Sequence, residues 1–325
     1  MFYSNIGIRE KSMIKQKRIG IGVDIGGSHI YSAAVDLTGN QLVPGSGFNV
    51  KINNQATADE ILDGWANALN STLSVISKEG IAGIGFAMPG PFDYPNGIAL
   101  FERVEKYESL YGINVTGALR QRLGLNKEVP FRFMNDATAF AVAEAWIGQG
   151  LGFQNLIALT LGTGFGSAFI KDGIPVLSGE SVPEMGCVWH LPYQNGIAND
   201  YFSTPWFTRK FFDQRGKLSE GVKELASMAE SDRFVMDLFV EYGSNMGDFL
   251  APWILKFNAE AIVIGGNITG SFHLFGPYLD ASLKKNQVCS NVLISVLKED
   301  AAVYGAARLL EDSFWLKIKT LLSLM

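Results

Sequence analysis

The sequence predicts an α/β protein of two lobes with a cleft between them, and three observations predict it. At 325 residues the chain is long enough for about two packed lobes, each burying its own core. Two distant segments repeat one pattern, a strand running into a glycine turn and out into a second strand. Around them, short apolar strands alternate with stretches of helical period, as in layered α/β architectures.

The first of those segments is Ile19 to Ile25, the turn Gly26-Gly27-Ser28, and then His29 to Asp36, which breaks at Thr38-Gly39-Asn40. An opening hairpin argues against a pure βαβ unit. A helix follows from Thr57 to about Lys78: Thr57-Ala58-Asp59-Glu60 forms a capping box, and Ile61, Leu62, Trp65, Leu69 and Leu73 recur at helical spacing. Ile81 to Ala87 reads as a buried strand ending at Pro89-Gly90-Pro91, a rigid loop at a strand's carboxyl end, where open α/β sheets hold ligands. Another strand, Pro130 to Met134, ends at Asn135-Asp136 and leads into a helix from Ala137 to Trp146.

The second hairpin pattern has the strand Leu156 to Leu161, the loop Gly162-Thr163-Gly164-Phe165-Gly166-Ser167, and the strand Ala168 to Ile170. Beyond it come a long helical stretch from Phe234 to Phe257, a strand Ala261 to Ile264 closing in Gly265-Gly266-Asn267, and a final helix from Asp300 to Glu311. The apolar residues from Phe314 to Met325 read as a helix packed on the body, since Lys317 and Lys319 interrupt a stretch too short for a bilayer.

Composition narrows the function. With 27 basic and 32 acidic residues the net charge is -5, and no block of like charge points to nucleic acid or a membrane surface. Small molecules are the expected partners. Cys187 and Cys289 are the only cysteines and lack disulfide or CxxC spacing, which fits a reducing compartment. Residues 1–18 read as a polar, basic arm with no apolar core of a secretory signal, so a cytoplasmic location is expected.

Glycine turns after strands gather backbone N–H groups into nests that suit phosphate, and two of them facing a cleft are able to clamp a polyphosphate. The alternative for either alone is a structural turn. Asp24 ends a buried apolar strand, where a carboxylate is expensive unless it meets donors or a cation such as the Mg²⁺ carried by a nucleotide. No GxxxxGK[ST] is present, and neither turn has GxGxxG spacing. Asp136 lies between a strand and a helix, so it can project into the cleft while the helix N-terminus holds its charge; the other role open to it is an N-cap.

In this order the motifs resemble the ROK family (repressor, open reading frame, kinase) of actin-like sugar kinases, over about Ile19 to Leu310. The resemblance rests on Asp24-Ile25-Gly26-Gly27-Ser28, Gly85 with Pro89-Gly90, Asn135-Asp136-Ala137, Gly162-Thr163-Gly164-Phe165-Gly166, Glu184-Met185-Gly186 and Gly265-Gly266. It implies an actin/hexokinase-like, ribonuclease H-like fold, with a small lobe of residues 19–136 plus 300–325 and a large lobe of 137–299. It also implies a sugar kinase that uses ATP and Mg²⁺ on a hexose or N-acylhexosamine hydroxyl, with Asp136 as the catalytic base. In that scheme Gly90, Asn135 and Glu184 bind the sugar, and Asp24 organises Mg²⁺ and the transferred phosphate. Gly26, Gly27, Ser28, Gly162, Thr163, Gly164 and Gly166 hold phosphates, Gly265 and Gly266 hold the adenosine, and two copies form a homodimer.

The chain departs from the family on the sugar side. Many members carry Glu-x-Gly-His followed by a cysteine cluster that binds structural zinc, whereas this chain has Cys187 in place of the His and no cysteine again before Cys289, so no zinc site is expected. His190 either compensates for Cys187 or is a loop residue. Asp200 either stands where the family has a second sugar-binding Glu or is likewise a loop residue. Polyphosphate is the alternative donor, as in zinc-free relatives. Sugar-responsive repressors of the family place a helix-turn-helix ahead of this body, and eighteen residues are too few for one. A catalytically silent sugar sensor is the remaining alternative.

Overall fold

The computed structural model describes residues 19–77 and 80–325; the arm expected over residues 1–18, and Lys78, the expected end of the first helix, lie outside them. Ile19–Ile25 pairs antiparallel with His29–Asp36 and parallel with Ile84–Met88, which pairs parallel with Phe131–Asn135. Asn155–Leu161 pairs antiparallel with Phe165–Lys171 and parallel with Ala261–Gly265, which pairs parallel with Asn291–Ile294. Both sheets therefore have the same order, with a short strand, Gln41–Leu42 or Ile174–Pro175, at the hairpin edge. Phe48–Lys51 adds a further strand to His29–Asp36 in the first sheet.

Each half sends a helix to the other. Asp136–Ile147 leaves the last strand of the first sheet and packs on the second, while Asp300–Arg308 follows the last strand of the second sheet and packs on the first. The two helices lie against one another between the sheets. Close approach is built into the sequence. A Cβ on Gly305 would stand 1.8 Å from the Ala139 carbonyl oxygen, and one on Gly85 would stand 1.8 Å from the Ala306 carbonyl oxygen. Gly85, part of a sugar-loop motif by resemblance, thus has a packing reason of its own.

The buried residues follow the same layering. In the second sheet Ala158, Ala168, Ala261 and Val263 join the core of the first half, while Ile157, Leu159, Phe169, Ile262 and Ile264 face a second core. That alternation is the period-2 signature of a sheet covered on both sides. The second core is closed by Arg233–Phe257 and Phe272–Lys285, with Gly243 admitting the Phe275 carbonyl. Behind the first sheet lies Ala58–Ser74, whose capping box is formed and whose Ile61, Leu62, Trp65, Leu69 and Leu73 are all buried. Phe314, Ile318 and Leu322 enter the first core alongside Ile21 and Ile84.

Several boundaries differ from expectation: the helix expected to about Lys78 ends at Ser74 with Val75 as its C-cap, and the one expected from Phe314 to Met325 runs from Asp312 to Ile318. The strand expected from Ile81 begins at Ile84, because Gly83 sits at φ +145°. The second glycine loop is shorter than expected: Phe165–Ser167 are already in the strand, Phe165 pairs with Leu161, and only Gly162–Gly164 turn. The final helix stops at Arg308, and a separate helix, Asp312–Ile318, follows.

Gly305→Ala should destabilise the protein by about 2–3 kcal/mol or more, since the added methyl meets backbone rather than a movable side chain. Urea unfolding followed by tryptophan fluorescence and circular dichroism checks this; an unchanged midpoint contradicts it.

Candidate functional site

Parallel pairing decides where the chemistry gathers. Because Ile19–Ile25, Ile84–Met88 and Phe131–Asn135 run the same way, their carboxyl ends share one edge of the first sheet. That edge carries Asp24 with the turn Gly26-Gly27-Ser28, the loop at Gly90, and the Asn135-Asp136 junction. By the same rule Leu161 and Gly265 bring the Gly162–Gly164 turn and Gly265-Gly266 to one edge of the second sheet. The two edges meet where a Cβ on Gly166 would stand 2.9 Å from the Ala137 Cβ.

The cap and the acid are different residues. Asn135 is the N-cap of Asp136–Ile147: its Oδ1 accepts the Thr138 amide at 3.1 Å. Asp136 is left at the first helical position, its Oδ1 accepting the Ala137 amide at 2.8 Å and the Asn135 Nδ2 at 3.0 Å. These donors and the helix N-terminus stabilise a negative charge there. Asp24 stands nearby, paired in register with Tyr31 and Ala87. Burial, then the negative charges of Asp136 and Glu299, push its carboxyl up to about 7. Among the described residues no donor reaches this carboxylate, so the local excess of negative charge suits a cation.

The first glycine turn is held from outside and left open within. The Gly26 carbonyl accepts the Tyr107 hydroxyl at 2.6 Å, the Gly27 carbonyl accepts the Asn54 side-chain amide, and the Ser28 carbonyl accepts the Ile52 amide at 2.8 Å. Gly27 is exposed and has no protein atom within 4 Å of a Cβ position. In the second turn the Gly162 amide donates to the Gly164 carbonyl at 3.0 Å, Thr163 is exposed, and Gly162 likewise faces open space. Asn199 braces it by accepting the Phe165 amide at 3.0 Å, and the Thr204 amide donates to the Gly162 carbonyl at 2.8 Å. Two open glycine turns beside a donorless carboxylate fit a Mg²⁺-bound polyphosphate.

The other residues singled out in the sequence fall into two groups. A Cβ on Gly90 would lie 3.6 Å from the Tyr94 hydroxyl, which places that loop against the Asn135-Asp136 junction. Glu184 is exposed and opens the turn that leads to Cys187, which lies within electrostatic reach of Tyr94. Cys187 Sγ is 3.7 Å from His190 Nδ1, and burial pushes its thiol up to about 11, so it stays neutral. Elsewhere the demands are structural. Asp200 accepts the Ile197 amide at 3.0 Å to start its own short helix. Gly265 makes room for the Phe140 ring, and Gly266, at φ +89°, for the Leu161 carbonyl. Among the described residues no three His, Cys, Asp or Glu side chains gather as a metal cluster requires.

Sequence reasoning missed Asn54, Tyr94, Tyr107 and Asn199, which brace the turns and the junction. Their partners lie far along the chain, Tyr107 being 81 residues from Gly26, and no motif marks them.

Comparisons with known proteins bear on the family and the fold. The sequence model described as the ROK family matches residues 20–313. A glucokinase of Thermotoga maritima is 27% identical over 326 residues, covering 90% of this chain and 97% of the relative. An N-acetyl-D-glucosamine kinase of Haemophilus influenzae is 26% identical over 280 residues, covering 78% and 86%. A ROK family glucokinase from Streptomyces griseus, solved with glucose and AMPPNP, superposes with a TM-score of 0.69 at 23% identity, covering 90% of this chain and 98% of that one.

The raised Asp24 carboxyl has a consequence for stability. In the unfolded chain the group ionises near 3.8 and in the folded protein near 7, so folding is penalised increasingly as pH rises between those values and fully above 7. In metal-free buffer Asp24→Asn should therefore stabilise the protein at pH 8, by on the order of 2–4 kcal/mol, and have little effect at pH 4. Urea unfolding of both proteins with EDTA at the two pH values measures this, and a variant less stable than wild type at pH 8 contradicts it.

Proposed function

The chain belongs to the ROK family, and from that premise we propose that it is a sugar kinase that phosphorylates a hydroxyl of a hexose or N-acylhexosamine with ATP and Mg²⁺, in the cytoplasm and as a homodimer. One observation carries the reading: Asp136, free of capping duty and fixed by two donors, stands close enough to Asp24 for its charge to act on it, at the sheet edge that also carries an open glycine turn. The glucokinase and N-acetylglucosamine kinase relatives, and the AMPPNP in the similar glucokinase structure, support the substrate classes.

Asp136 takes the proton of the attacking sugar hydroxyl. Its carboxylate is suited to this because the Asn135 side-chain amide and the Ala137 amide aim it. Bound MgATP supplies the γ-phosphoryl group, whose bond to the bridging oxygen breaks as the bond to the sugar oxygen forms. Asp24 would hold the Mg²⁺, which neutralises the charge that burial makes costly, and the amides of Gly27, Ser28, Thr163 and Gly164 would bind phosphate oxygens, while Gly26 and Gly162 shape the turns with their amides given to the His29 and Gly164 carbonyls. Positioning and electrostatics do most of the work in such a transfer. On the sugar side Gly90 and Glu184 would meet hydroxyls, joined by the neutral Cys187 with His190 beside it, whereas Asn135, its amide committed to Thr138, Asp136 and Tyr94, would line the site and orient Asp136. Asp200 has one oxygen committed to Ile197 and would reach the sugar only with the other.

A coupled assay of glucose, mannose, fructose, N-acetylglucosamine and N-acetylmannosamine with ATP and with polyphosphate tests the reading. Turnover with ATP is expected; sugar binding without turnover from either donor marks a silent sensor, and turnover from polyphosphate alone replaces the donor. Asp136→Asn should lower kcat by about 10³-fold or more while sugar affinity, measured by calorimetry, stays within a few-fold. Near-normal turnover in that variant would end the assignment of the base.

A further inference from the structure

Tyr94 is absent from the residues the sequence singled out, yet it stands one hydrogen bond from the Asn135-Asp136 junction. Its side chain is 3% exposed, with its ring against Phe92 at 5.4 Å between centroids. The hydroxyl donates to the Met88 carbonyl at 3.0 Å, and burial raises its pKa, so the phenol stays protonated and its oxygen keeps lone pairs to accept with. Those lone pairs face Asn135, whose Nδ2 is 3.5 Å from the Tyr94 oxygen and 3.0 Å from Asp136 Oδ1. The Asn135 Oδ1 is already taken by the cap on Thr138. A side-chain amide is planar, so the directions of its two N–H bonds are fixed to one another. An acceptor for one of them therefore aims the other.

We infer that Tyr94 is a positioning residue for phosphoryl transfer: its hydroxyl sets the plane of the Asn135 amide, and that amide sets the face Asp136 turns to the sugar. The cap on Thr138 fixes one end of the amide, and the Tyr94 oxygen fixes its tilt. Met88, which anchors the hydroxyl, pairs in register with Asn135 across the sheet, so backbone geometry holds the relay at both ends. The Gly90 loop lies against the same hydroxyl, a Cβ there standing 3.6 Å from it, so one buried phenol touches both the loop and the junction.

This rests on the reading of Asp136 as the base, and the two can be tested apart. Tyr94→Phe keeps the ring and its packing and removes only the hydroxyl. Assayed with MgATP and the sugar of highest turnover in the panel above, its kcat should fall about fivefold to tenfold while the sugar KM moves less than about twofold, as expected for one aiming bond. In an Asn135→Ala background the same substitution should change kcat by less than about twofold, because no amide is left to aim. Thermal unfolding of each variant establishes that it is folded. A folded Tyr94→Phe with wild-type kcat overturns the inference, and so does an undiminished loss in the Asn135→Ala background. Failure of the base assignment reads out separately, as turnover retained by Asp136→Asn.

Discussion

The carbonyl of Ala139 lies where a side chain on Gly305 would otherwise be, and that contact governs how the two halves meet. Asp136–Ile147 and Asp300–Arg308 approach this closely because Gly305 meets Ala139 at the crossing, and the second helix settles as closely on the first sheet over Gly85 beneath Ala306 and Gly22 beneath Val303. Each helix begins at the end of one sheet and packs on the other. The Asn135-Asp136 junction is therefore carried into the space the two glycine turns border. A bulkier residue at the crossing would move the junction as well as strain the core.

Charge in that space is unbalanced by protein groups alone. Asp24 sits near Asp136 and Glu299 and no donor among the described residues reaches it, so its carboxyl holds its proton up to about 7. A half-buried carboxylate held beside other negative charges with no protein donor is costly. In the proposed kinase the partner arrives with the nucleotide, and the same residue that costs stability in the empty protein organises the transferred phosphate. Strain of this kind is characteristic of functional sites, where the ligand completes the electrostatics.

The sequence made the two hairpins, the capped helix from Thr57 and the Asn135-Asp136 junction legible, because each is a local pattern of β-branched residues, glycine turns or caps. The shared order of the two sheets was legible only as a likeness of two hairpins; the parallel strands that complete it lie far apart in the chain. The glycines show the limit most clearly. Gly27 and Gly162 are open, as phosphate turns require, while Gly85 and Gly265 owe their place to Ala306 and Phe140, and nothing in the local sequence separates the two kinds. Braces such as Tyr107 on Gly26 and Asn199 on Phe165 were invisible for the same reason, since a hydrogen bond across many residues leaves no periodicity. At Asp136 the choice between cap and acid turned on which neighbouring side chain took the Thr138 amide, and Asn135 takes it.

In the proposed kinase one carboxylate lies within reach of the hydroxyl that receives the phosphoryl group. A crystal structure of the protein with its preferred sugar, Mg²⁺ and a non-hydrolysable ATP analogue tests it most directly. The account predicts an Asp136 oxygen within about 2.6–3.2 Å of one sugar hydroxyl, with that hydroxyl facing a terminal phosphate held over Gly27 and Gly162. A sugar bound with another carboxylate at that distance, and Asp136 turned away, would contradict it.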